Sequence, residues 1–195
     1  TSVGKAAFIT ALYIVLVPLL GMFFHKKAGA QLWVSVAAAI VGLYLLCIKE
    51  DCFSANGYDI VLLFCALTFA LHILCVDYFS PKVDSIKLSC IQFLVCGALS
   101  FVGMIFTEKP DFAEILAAGR PILYAGVMSC GVAYTLQVVG QKDLNPVIAS
   151  LIMSLESVVS AISGWMILGQ TLSRREMLGC IVMFLAIILA QVPLK

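Results

Sequence analysis

Residues 144–169 read LNPVIASLIMSLESVVSAISGWMILG, twenty-six positions with a single charged side chain, Glu156, near their centre. A helix needs about 20 consecutive apolar residues to cross bilayer hydrocarbon, and this stretch has the length. It lacks the period-2 alternation of a barrel strand, so it reads as a transmembrane helix. Helical spacing puts Ala149, Met153, Glu156, Ser160 and Ser163 on one stripe. A second stripe, Ser150, Ser154, Ser157, Ala161 and Gly164, is small throughout and predicts a helix-packing seam. Leu151, Leu155, Val158 and Ile162 fill the remaining side.

Six more apolar runs surround it, separated by charged patches. They cover about 6–24, 31–48, 60–76, 88–107, 121–140 and 177–194, between marks such as His25-Lys26-Lys27, Lys49-Glu50-Asp51 and Arg174-Arg175-Glu176. The expected fold is an all-α, polytopic transmembrane bundle of seven helices. Most connectors are short, so consecutive helices should be antiparallel neighbours. The longest, 108–120, is expected to hold a short interfacial turn. No charged n-region or cleavage site precedes the first run, so no signal peptide is expected.

Composition agrees. Of 195 residues, 63% are apolar and 12% charged, and mean hydropathy is +1.10. Soluble domains are about 25% charged, and one 21 kDa globule could not hide this much apolar surface from water. A net charge of +1 also excludes a disordered chain and a nucleic-acid binder. The eight cysteines form no C-x-x-C pair and mostly sit inside apolar runs, where they act as small hydrophobes; no metal or cofactor is expected. Lys and Arg divide six against six between the two membrane sides, so charge assigns no orientation.

The chain also matches itself. An offset of 143 aligns Ala6 with Ala149, Ile9 with Ile152, Leu12 with Leu155, Val15 with Val158, Gly21 with Gly164 and Leu46 with Leu189. The matched runs lie five helices apart, and an odd-numbered unit repeated once inverts its orientation across the membrane. The expected domains are therefore 1–50, the last two helices of a first repeat, and 59–195, a complete second five-helix repeat. Three further helices are expected before Thr1.

The chain resembles the EamA-type carriers of the drug/metabolite transporter superfamily. The likeness runs through Thr1-Ser2-x-Gly4-Lys5-Ala6-Ala7-Phe8-Ile9-Thr10 and Val17-Pro18-Leu19-Leu20-Gly21. It is strongest over Ala133-Tyr134-Thr135-Leu136-Gln137-x-x-Gly140-Gln141-Lys142 and Asn145-Pro146-x-x-Ala149-Ser150-Leu151-Ile152-x-Ser154-Leu155-Glu156-Ser157, and closes with Gly164-Trp165-x-x-Leu168-Gly169. The resemblance implies a secondary, non-ATP transporter of a small metabolite, working by alternating access in the plasma membrane. Export of amino acids or related compounds is the expected activity. It also implies that the Lys26-Lys27, Lys82–Lys87 and Lys142 loops and the C-terminus face the cytoplasm.

The candidate site residues are the polar groups at membrane depth. A charged carboxylate there costs about 2.5–3.5 kcal/mol on insertion scales, so Glu156 should face protein or a water-filled cavity. It serves either as a helix clamp or in substrate binding and coupling, with protons the candidate coupling ion. Cys130, Tyr134, Gln137 and Gln141 recur at helical spacing; either Tyr134 and Gln137 orient a ligand, or Gln137 bonds between helices while Tyr134 and Gln141 sit at the membrane interface. His72 is a proton-exchange candidate or a packing residue, and Gln92 is expected to reach the same cavity. Tyr134, Gln137, Glu156, His72 and Gln92 are expected to converge near mid-membrane. Lys5 is expected to snorkel to a membrane face and Pro18 to kink its helix.

Two other classes compete. An intramembrane enzyme is disfavoured because there is no G-x-S-x-G elbow and no H-E-x-x-H pair. A non-transporting membrane subunit stays open. The expected partners are a small-molecule substrate and the lipid bilayer, with no nucleic acid; nothing in the residues selects the substrate or the oligomeric state.

Overall fold

The computed structural model describes residues 3–23, 29–48, 57–107, 111–169 and 173–192. The described residues are helical, and no strand occurs among them. The Lys26-Lys27 and Lys49–Asp51 patches, Lys109 and Lys195 lie outside them. Six spans are long and apolar enough to cross a membrane: Lys5–Phe23, Ala30–Cys47, Tyr58–Phe79, Ser85–Thr107, Gly119–Gln141 and Pro146–Ile167. The protein is a multi-pass membrane protein. The seventh apolar run also forms a helix, α11 (Arg174–Gln191), but its 18 residues carry Arg174, Arg175 and Glu176 in the first turn. Those charges keep it below the composition of a span.

The chain divides into two compact units, Thr1–Cys75 with Asn145–Lys195, and Val76–Leu144. The first contains α1 (Val3–Ala11), α2 (Tyr13–Phe23), α3 (Ala30–Cys47), most of α4 (Tyr58–Phe79), α9 (Pro146–Met153), α10 (Leu155–Leu168) and α11. Its core includes Ile14, Val17, Leu43, Ile73, Leu151, Val158 and Met183, each nearly or fully buried.

Helices α3 and α11 run antiparallel. The Gln31 amide donates to the carbonyls of Leu189 and Val192 at one end, and the Arg175 guanidinium lies 5.1 Å from the Tyr44 ring centre at the other. Between them the backbones meet at Gly42 and Gly179, where a side chain would collide with the opposing helix. Lipid is as apolar as a protein core, so burial alone drives no association there, and close van der Waals approach at small residues must do so.

Two of the apolar runs carry a one-residue irregularity within an otherwise continuous helical span. In the first it lies between α1 and α2 at Leu12, whose N–H donates to Ile9 O (3.2 Å) and whose carbonyl accepts from Val15 N (3.0 Å) and Leu16 N (3.2 Å). In the sixth it lies between α9 and α10 at Ser154, whose carbonyl accepts from Ser157 N at 3.2 Å. Hydroxyls bonded back to the preceding turn loosen and bend helices. Thr10 donates to Ala6 O (3.0 Å) and Ala7 O (3.1 Å), Ser150 to Val147 O (2.8 Å) and Ser154 to Leu151 O (2.6 Å). Pro18 lies inside α2, where it removes one further helical hydrogen bond.

Caps place the ends of these segments. Asn145 precedes α9, accepts from Val147 N at 2.9 Å and is followed by Pro146, a residue suited to the first helical turn. Gly169 ends α10 at φ 64, a left-handed conformation that costs glycine nothing. Ser173 and Glu176 form a capping box at the start of α11.

The second unit holds α5 (Ser85–Thr107), α6 (Phe112–Ala117), α7 (Gly119–Tyr124), a π-helical stretch (Ala125–Tyr134) and α8 (Thr135–Gln141). Asp84 caps α5, accepting from Ile86 N and Lys87 N at 3.0 Å. The expected interfacial turn is α6, capped by Asp111, which accepts from Ala113 N at 2.8 Å. Side chains here point mostly outward: Leu94, Leu99 and Phe106 are among the most exposed apolar residues, as lipid contact requires.

Candidate functional site

The first unit holds a partly open pocket of about 350 Å³ between α1, α2, the end of α3, α9, α10 and the start of α11, with Glu156 and Ser160 exposed. Glu156 lines it, with Ser154, Ser157 and Ser160 from the same run. Thr10, Ala11 and Tyr13 face them from the first run, and Leu46, Cys47 and Glu176 complete one side. Glu176 also accepts from Ser173 N at 2.7 Å, so part of its charge is spent on the helix end. Two carboxylates and a set of hydroxyls thus meet in one space, and no Lys, Arg or His lines it among the described residues. Such a surface attracts hydrogen-bond donors and positive charge.

Three pairs of lining residues stand at the 143-residue offset. They are Thr10 and Met153, Ala11 and Ser154, and Tyr13 and Glu156. The helix irregularities at Leu12 and Ser154 fall within one residue of that offset and beside the same space.

His72 belongs to the same unit but does not line this pocket. Its ring stacks on Phe69 at 5.9 Å, and Phe69 in turn lies 5.0 Å from Tyr13, which does. An aromatic chain therefore links His72 to the pocket wall. The His72 Nε2 is buried without a hydrogen-bond partner among the described residues.

The other expected site residues lie in the second unit. Gln92 is on α5 and Gln137 on α8, two helices that pack together. The Gln137 Nε2 is buried without a partner among the described residues, and Gln141 is buried. Cys130 and Tyr134 stand on the π-helical stretch and are exposed. Within the π-helical stretch residues four apart stay on one side, so Cys130 and Tyr134 still share a face, as Gln137 and Gln141 do on α8. Gly126 and Gly131 sit in that wider turn, where a side chain at Gly131 would come within 3.3 Å of the Gly126 carbonyl.

Of the small stripe on the sixth run, Ser150, Ser154 and Gly164 are buried, while Ser157 is half-buried and lines the pocket. Thr10, Tyr13 and Glu176 were not singled out by the sequence reading. Tyr13 had a signal, because the 143-residue offset pairs it with Glu156. Glu176 had another, the S-x-x-E spacing from Ser173. Lys5 does not simply snorkel: its Nζ forms an ion pair with Asp59 at 2.6 Å, the two side chains being 14% and 17% exposed.

Residues 56–191 match the EamA-like transporter family. An "Uncharacterized transporter" from Archaeoglobus fulgidus is 28% identical over 192 residues, 98% of this chain and 61% of that protein. "Uncharacterized transporter YyaM" from Bacillus subtilis is 27% identical over 127 residues, 65% of this chain and 40% of that protein. The chain therefore spans less than two thirds of the length of either relative. No solved structure gives a significant match. The family match covers most of the chain, including Glu156 and the irregularity at Ser154, and on that match the chain belongs to the EamA-like transporter family.

Proposed function

We propose that the chain works in a secondary carrier that moves a small metabolite across the plasma membrane by alternating access, without covalent chemistry, and that export of amino acids or related compounds is its activity. Residues 59–195 act as one five-helix repeat, and residues 1–50 as the last two helices of its inverted partner. The observation that carries this reading is the pocket lined by three residue pairs at the 143-residue offset, beside two helix irregularities at nearly the same offset. In inverted-repeat transporters the site lies between the repeats and is formed by discontinuous helices, because interrupted backbone can bend while the flanking segments move as rigid bodies. The antiparallel pairing of α3 with α11, the final helices of the two repeats, supports the same reading. His72, in the same unit as the pocket, also serves substrate handling, with protons as the coupling ion.

The test is flux in proteoliposomes carrying the complete protein. Saturable uptake of a labelled amino acid, accelerated by unlabelled substrate on the opposite side and independent of ATP, is the expected result. Uptake that requires ATP, or chemical conversion of the substrate, would overturn the proposal.

A further inference from the structure

We propose that the pocket around Glu156 binds the ammonium group of an amphipathic primary amine, so that the substrate of the carrier, if the reading above holds, belongs to this class. The sign of the charge comes from the lining, where Glu156 and Glu176 face the space and no basic side chain does among the described residues. The kind of cation comes from the hydroxyls. Thr10 donates its proton to Ala6 O and Ala7 O, and Ser154 donates to Leu151 O. Their oxygens therefore meet the pocket as acceptors, alongside the carboxylate of Glu156. A primary ammonium carries three donors and no acceptor, which matches such a surface; a quaternary ammonium carries no donor at all.

Size separates an organic cation from a bare ion. A water molecule occupies about 30 Å³ in the liquid, so a metal ion would leave most of the roughly 350 Å³ to solvent. Small-molecule sites begin at about 300 Å³. The rest of the lining, including Ala7, Leu46, Met153 and Ala161, is apolar and offers a surface for a hydrocarbon tail.

The probe is tritiated 2-phenylethylamine, bound to the complete purified protein in a scintillation proximity assay. Competitors are tetramethylammonium, sodium and 3-phenylpropionate. Saturable binding, displaced by none of the three, is expected. Glu156→Gln should weaken it at least tenfold, as loss of a charge-assisted hydrogen bond does. Ser160→Leu, which fills the pocket without touching the charge, should weaken it comparably, and covers the case in which Glu156→Gln does not fold. Glu114→Gln, exposed on α6 in the other unit, should bind as the parent does. Unchanged affinity in the folded pocket variants overturns the assignment, as does equal displacement by tetramethylammonium or 3-phenylpropionate, or protection by sodium alone. The flux measurement fails separately. Amine binding without counterflow leaves the site and removes the carrier, whereas amino-acid counterflow with no amine binding does the reverse.

Discussion

Gly42 and Gly179 stand where the backbones of α3 and α11 touch: a Cβ on Gly179 would lie 2.8 Å from the Gly42 carbonyl oxygen, and one on Gly42 would lie 3.0 Å from that of Gly179. Neither position was part of the small-residue seam read from the sixth run. The contact joins two segments separated by more than a hundred residues, and it does so without any polar side chain.

Alanine at these positions should separate the helices. Gly179→Ala is expected to cost more, because its Cβ meets only the backbone and Leu46 Cβ, whereas a Cβ on Gly42 meets the flexible Met183 side chain first, at 2.7 Å. Overpacking of this kind costs about 1–3 kcal/mol. Thermal unfolding in detergent should show a lower midpoint for both variants, ordered Gly179→Ala below Gly42→Ala. Equal or raised midpoints would contradict the close crossing.

The Lys5–Asp59 ion pair ties α1 to α4 with little solvent around it. Exposed pairs are worth about 0.2–1 kcal/mol, and leaving one charge of a buried pair uncompensated costs several times more. Lys5→Ala and Asp59→Ala should each destabilise by more than the exposed range. The double variant should be less destabilised than the sum of the two, and a double-mutant cycle on thermal or denaturant unfolding reads the coupling. An additive result would mean that the pair contributes nothing as a pair.

Water should reach the pocket but not the outer faces of the second unit. In a cysteine-free background and in native membranes, Ser160→Cys should react with a water-soluble methanethiosulfonate, whereas Leu94→Cys, 73% exposed in the apolar middle of α5, should not. The reverse pattern would put Ser160 against lipid.

Orientation is testable at the capped turn before α5. Asp84 is exposed there, and the resemblance to EamA-type carriers implies that this turn faces the cytoplasm. Asp84→Cys should be labelled by a membrane-impermeant maleimide only after the cells are permeabilised. Labelling from outside intact cells would invert the topology. The six-against-six distribution of Lys and Arg means that no charge argument competes with that measurement.

The amino-acid sequence by itself determined that this is a helical membrane protein and where most spans begin and end. Those features depend on run length, charged punctuation and local spacing, all of which are written along the chain. Glu156, Ser154 and Ser157 were legible for the same reason, since polar groups stand out in an apolar run. Which faces are buried was not legible, because with lipid outside and side chains inside equally apolar, hydrophobicity carries no sign of direction. The tertiary structure therefore decided that Gly42 meets Gly179, that Lys5 reaches Asp59, and that Thr10, Tyr13 and Glu176 join Glu156 around one pocket. It also decided where the helices become irregular: at Leu12 and Ser154, beside back-bonding hydroxyls, the backbone tightens to i→i+3 hydrogen bonds.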